Sequence, residues 1–148
     1  MLTDTLIKLF NRDLEKLKAE INAYKNEHVI WVVDKEISNS AGNLCLHIVG
    51  NLSHFIGSVL GNSGYVRQRE LEFSLKDVPT IELTTQVDET LKMIHDVLGN
   101  LSIDELDKRY PIDVFKEPMS TEYFLVHLTT HLSYHLGQIN YLRRLLDS

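Results

Sequence analysis

An all-α fold arranged as a four-helix bundle is what this sequence predicts, and three observations predict it. Four long segments carry apolar residues every three to four positions, the period of a helix with one buried face. Capping or stop residues bound most of these segments. With 148 residues, 43% of them hydrophobic, the chain fits one domain over residues 1–148 with enough apolar material to bury a core. Four amphipathic helices in so small a domain bury their stripes by packing on one another. No internal repeat, low-complexity tract or linker interrupts the pattern.

The first segment, from about Leu2 to Tyr24, places Leu6, Phe10, Leu14, Leu17, Ile21 and Tyr24 on one face and contains neither Gly nor Pro. Asp13, Glu15, Lys16, Lys18 and Glu20 read as its solvated face. The run Val29-Ile-Trp-Val-Val33 is too short for a globular helix. It reads as a crossing connection whose apolar centre caps the core, with a lone strand as the alternative. Ser38, Asn39 and Ser40 offer N-cap chemistry for a second helix with Leu44, Ile48, Leu52, Phe55 and Val59 buried and His47, Asn51 and His54 on its flank. Gly61-Asn-Ser-Gly64 stops it, and the stretch to Pro79 reads as a long loop bearing Arg67, Arg69, Glu70 and Glu72. A loop of that length suits the rim of a site, and a plain solvated connection is the alternative.

The third helix runs from about Thr80 to Gly99 with Leu83, Val87, Leu91, Ile94 and Leu98 inward, and Gly99-Asn100 ends it. Ser102-Ile-Asp-Glu105 is a capping-box pattern opening a short helix. Tyr110-Pro111 to Pro118 then leads to the last helix, N-capped by Ser120, with Phe124, Leu128, Leu132, Ile139, Leu142 and Leu146 apolar.

Charge and cysteine content narrow the function. Lys and Arg number 15 against 21 Asp and Glu, a net charge of −6 with no basic stripe, which disfavours binding to a nucleic-acid backbone. No span has the length and apolarity of a membrane helix, and Met1-Leu-Thr-Asp-Thr-Leu-Ile-Lys lacks the pattern of a secretion signal. A cytoplasmic protein is therefore expected. The lone Cys45 excludes an internal disulfide and reads as a small buried hydrophobe.

The chemistry concentrates in the last helix, where His127, His131 and His135 recur every four residues. Each step of four advances about 40° around a helix, so the rings form a ladder beside the apolar stripe. Two imidazoles at i and i+4 can chelate one metal ion, and the alternative is a pair of core histidines bonded to backbone or carboxylates. A third ligand from elsewhere decides between them. His28 and His95 read as rim or surface residues, whereas His47 lies beside a buried stripe and can point into the core. Three imidazoles leave coordination positions for water or substrate, as in catalytic sites. A carboxylate-bridged di-iron centre is disfavoured because no Glu-x-x-His occurs, and there is no His-Glu-x-x-His, phosphate loop or dinucleotide fingerprint.

A histidine in the second helix, in Leu44-Cys-Leu-His47, followed far downstream by His131-Leu-Ser-Tyr-His135-Leu-Gly-Gln138-Ile, resembles the DinB superfamily of metal-binding bundles over nearly the whole chain. The likeness is most specific in His-x-x-x-His-x-Gly-Gln-Ile. It implies an up-down-down-up winding, a homodimer, and His47, His131 and His135 as ligands of a divalent ion such as Zn, Ni, Fe or Mn; His54 and His127 match no ligand position. It also implies a thiol S-transferase that joins a low-molecular-weight thiol (bacillithiol, mycothiol or glutathione) to an electrophile. In this reading Arg67 or Arg69 steers an anionic cofactor, and Gln138 orients a ligand or serves only in helix packing. A non-enzymatic metal-binding dimer and a metal-dependent hydrolase are the rival readings. No carboxylate on the last helix offers a general base for hydrolysis.

Overall fold

Leu6, Phe10, Leu14, Leu17 and Ile21 are each at most 1% exposed, and burying that stripe draws Leu2–Ala23 into the first helix, α1. All residues, Met1–Ser148, are described by the computed structural model. It contains helices and turns and no strand, only one isolated bridge between Arg109 and Ser120. The apolar run after α1 forms neither a strand nor a plain crossing coil. Glu27–Trp31 is a short 3-10 turn, N-capped by Asn26, that drives Ile30 and Trp31 into the core. The indole lies across the start of the next helix, where a β-carbon at Gly42 would fall 2.7 Å from the ring.

That helix, α2, spans Ala41–Leu52, and the Ser40 hydroxyl accepts from the Asn43 amide at its N-cap. It is buried on almost every side, with Val49 its least enclosed residue. From Ser53 to Ser58 the helix widens to a π turn, in which Val59 N–H donates to the His54 carbonyl. Asn62 and Gly64 then take positive φ values and end it.

The stretch between Gly64 and Pro79 is not the open loop the sequence suggested. It contains a six-residue helix, α3 (Arg69–Ser74), which turns its acidic Glu72 inward and leaves Leu71 and Leu75 exposed. A turn and a half of helix carrying a buried acid has no apolar period to betray it. Asn43 on α2 holds α3 in place, because its amide Nδ2 donates to the carbonyls of Glu72 and Leu75, both at 2.9 Å.

The next helix, α4 (Thr80–Gly99), buries Leu83, Val87, Leu91, Ile94 and Leu98. The expected capping box forms at α5 (Ile103–Asp107), with Ser102 and Glu105 each accepting from the other's backbone amide. Tyr110 is buried against Phe124, and its hydroxyl donates to the Phe55 carbonyl at 2.6 Å. The last helix, α6 (Thr121–Leu146), is N-capped by Ser120 as expected.

The four long helices share a single core cluster in which α1 and α2 each pack on both α4 and α6. Gly57 in the π turn and Gly61 just after it face Met93 and Val97 of α4, and Phe55 of the π turn stacks edge-on against Phe124 of α6. Between α1 and α6, Glu20 accepts from Asn140 Nδ2 and Arg143 Nε, each at 2.6 Å. Part of the α1 face read as solvated is therefore enclosed. Asp13 is only 4% exposed, with the Arg12 guanidinium donating to its carboxylate at 2.8 Å. Packing against α6 covers these acids, and paired charges tolerate such partial burial where isolated ones would not.

Candidate metal centre

Two helices supply the site. On α6 the four-residue spacing sets His131 and His135 one turn apart, with ring centroids 4.5 Å from each other. On α2, His47 emerges among buried residues and is itself 7% exposed. Packing of α2 on α6 brings its ring 5.0 Å from His131 and 5.2 Å from His135, edge-on to both. The Nε2 atoms converge: His47 Nε2 lies 3.2 Å from His131 Nε2, and His135 Nε2 lies 3.1 Å from it. The ligand atoms of the three residues all lie within 4.8 Å of one another, so His47, His131 and His135 form a group that could hold a metal ion.

For two of the three rings, the partner on Nδ1 favours one tautomer of the neutral imidazole. His47 Nδ1 is 2.9 Å from Glu72 Oε1, and a carboxylate in this pairing only accepts, so Nδ1 carries the hydrogen and Nε2 presents a lone pair inward. His135 Nδ1 is 2.8 Å from Gln138 Oε1, which leaves its Nε2 lone pair facing the same point. Two lone pairs directed at the third ring's Nε2 are satisfied either by an N–H on His131 or by a cation between the three nitrogens. The donor set fits such a cation, because ligands about 2.0–2.1 Å from a tetrahedral ion stand about 3.3 Å apart, close to the two short separations here.

Burial acts in the same direction. It is the first cause that lowers His131 from the ordinary 6.5 to about 4, and the neighbouring His135 and His47 add to it. Burial likewise lowers His135, against a smaller opposing effect of its bond to Gln138. Both rings are thus neutral at pH 7, the state a metal ligand needs.

The sequence did not single out Glu72. Its carboxylate is buried with the Arg67 guanidinium clamped on it, Nε to Oε2 at 2.9 Å and Nη2 to Oε1 at 3.0 Å. Burial alone would raise this carboxyl, but the bonds from His47 and Arg67 outweigh burial and hold it below the usual range. The signal for Glu72 lay in three dimensions only, since it is separated from His47 by 25 residues and belongs to a helix with no periodic signature.

The remaining histidines lie outside the group. His127 stacks by Phe124 and Phe115, with its ring 6.5 Å from that of His131. His54 packs against Phe55. His28 and His95 are exposed, as expected. Cys45 is fully buried, and burial pushes its thiol up to about 12, so it is an inert core residue. Arg69 lies over the Phe73 ring at 5.2 Å. Asn51, one turn past His47, has a buried carbonyl oxygen with no donor. Beside His135 and Gln138, a cleft of 490 Å³ is walled by Ile37, Leu44, Tyr134 and Tyr141, a size suited to a small molecule. No helix is long and apolar enough to cross a membrane.

A family model described as a protein of unknown function, DUF1572, matches residues 3–148, all but the first two residues of the chain. No curated protein matches it.

Proposed function

The chain belongs to the DUF1572 family, whose description assigns no reaction, and from that premise we propose that it is a divalent-metal protein of the DinB type acting as a thiol S-transferase. The observation that carries this reading is the convergence of the Nε2 atoms of His47, His131 and His135 from two helices. Three neutral imidazoles would leave a bound ion's positive charge undiminished, and the chemistry such an ion would supply is acidification of a thiol toward a nucleophile at neutral pH.

The chain's own residues have distinct parts in this scheme. His47, His131 and His135 hold the ion, and Gln138 keeps the His135 lone pair turned toward it. The cleft beside His135 takes the less polar reactant against Leu44, Tyr134 and Tyr141. Of the two arginines on the connection after α2, Arg67 spends two of its donors on Glu72, which leaves exposed Arg69 as the residue to steer an anionic thiol cofactor.

A DinB-type four-helix bundle wound up-down-down-up is supported by the contacts along each pair. Along the π turn and the residues after it that continue the line of α2, Gly57 meets Met93 and Gly61 meets Val97, so this segment runs in the same direction as α4. Between α2 and α6 the order reverses, with His47 at His131 and His135 but Phe55 at Phe124. A homodimer is supported by a stripe on the outer face of α6, where Tyr123, Val126, Tyr134, Tyr141 and Leu145 are 42–69% exposed at helical spacing.

The test is turnover of an activated halide electrophile by metal-loaded protein, with bacillithiol, mycothiol or glutathione or with no thiol. Product formation that needs one of these thiols and stops on chelation is the expected result. Turnover without thiol would assign a hydrolase instead. Stoichiometric metal with no turnover under any condition would leave the structural, non-enzymatic reading.

A further inference from the structure

The Glu72 carboxylate is held between His47 and Arg67 on one side and α2 on the other. Its Oε1 accepts from His47 Nδ1 at 2.9 Å and from Arg67 Nη2 at 3.0 Å, and its Oε2 accepts from Arg67 Nε at 2.9 Å. On the opposite side is the backbone of α2 at Gly50. A β-carbon there would lie 1.9 Å from Oε2 and 2.5 Å from Cδ of Glu72, well inside any real contact. Gly50 is in the interior of a helix, where glycine costs roughly 1 kcal/mol relative to alanine. The carboxylate occupies the space that the missing side chain leaves.

We propose that Glu72 is the positioning residue of the metal centre. Pressed onto Gly50 and clamped by Arg67, it fixes the tautomer and direction of His47 so that Nε2 faces His131 and His135. Three features carry the assignment. The carboxylate is the only acceptor bonded to Nδ1, and a neutral imidazole bonded through Nδ1–H presents its Nε2 lone pair. The ring cannot rotate away cheaply, because Phe73 of α3 packs on it with centroids 4.8 Å apart. The helix bearing Glu72 and Phe73 is itself tied to α2 by the two Asn43 bonds, with Lys76 Nζ donating to Asn43 Oδ1 at 2.6 Å. The connection between α2 and α4 therefore acts as a bracket for one ligand.

A carboxylate behind a ligating histidine commonly accounts for a tenfold to hundredfold effect on metal affinity. The part of this inference that concerns metal rests on the proposed metal-binding function, so the experiment separates the two. Histidine-selective ¹⁵N spectra of the metal-free protein read the His47 tautomer directly. Zn(II) affinity, measured against a competing chelator, reads the consequence.

In the wild type His47 is expected as the Nδ1–H tautomer. Gly50→Ala, which adds one methyl group and removes no polar atom, is expected to displace Glu72, mix or switch the tautomer and weaken Zn(II) roughly tenfold or more. Glu72→Gln, which retains an acceptor for His47, is expected to keep the tautomer and lose less affinity than Glu72→Ala. In a Glu72→Ala background the further change Gly50→Ala should have almost no additional effect, since the atom it strikes is gone. An unchanged His47 tautomer in both Gly50→Ala and Glu72→Ala overturns the proposal, as does full additivity of the two changes. If the wild type binds no Zn(II) while the tautomer still switches, the metal reading fails and the positioning role of Glu72 stands.

Discussion

Acidifying the metal-free protein perturbs the centre most directly, and its magnitude follows from His131. In the unfolded chain this imidazole takes up a proton near its ordinary value of 6.5, whereas in the fold it does so only at about 4, chiefly because it is buried. Between those values the unfolded state binds more protons than the folded one. Stability is then highest above about pH 6.5 and falls as pH drops toward 4. At about 1.4 kcal/mol per pH unit the full interval corresponds to about 3.5 kcal/mol. The ring is only half-buried, and solvent screening of that exposed part reduces the expected loss to about 2 kcal/mol. The assay is urea denaturation of chelator-treated protein at half-unit steps from pH 7.5 to 4, for the wild type and His131→Gln. Groups remote from the cluster titrate alike in both proteins, so the difference between the two curves reports His131 together with its coupling to His135 and His47. That difference should be flat above pH 6.5 and shrink by about 2 kcal/mol toward pH 4. Parallel curves would refute the argument that burial in this cluster holds the ring neutral. With metal added, affinity should fall as pH drops, because protons and metal compete for the same lone pairs.

Two further outcomes follow from the geometry. His131→Ala, His135→Ala and His47→Ala should each abolish or sharply weaken metal binding, read by metal analysis, while circular dichroism stays helical because the apolar core is untouched; His127→Ala and His54→Ala should keep their metal, and a damaging His54→Ala would displace the site along α2. Tyr134→Glu on the outer face of α6 should convert a dimer to a monomer in light scattering with little change in metal content, and an unchanged mass would place the subunit contact on another surface.

Local rules carried most of the architecture. The period of Leu83, Val87, Leu91, Ile94 and Leu98 placed α4 over the residues it occupies, Ser102 and Ser120 marked two helix starts at the residues that cap them, and the cap of α2 is one of the three candidates Ser38, Asn39 and Ser40. These signals are legible because a cap and an amphipathic stripe are satisfied within a few residues of chain. The helical pair His131 and His135 was legible for the same reason, since i and i+4 meet on any helix.

Tertiary structure decided what spans the chain. No spacing rule brings His47 to His131 across 84 residues; resemblance suggested the partnership, and packing of α2 on α6 made the distance 3.2 Å. The short helix that turns Glu72 inward was read as loop, because a six-residue helix that exposes Leu71 and Leu75 while burying an acid inverts the pattern by which helices are recognised. Asp13 and Glu20 looked solvated for a related reason. A single sequence shows which face of a helix is polar but not which neighbour will cover it, and only the packed fold brings the counter-charge into reach or seats Glu72 against Gly50.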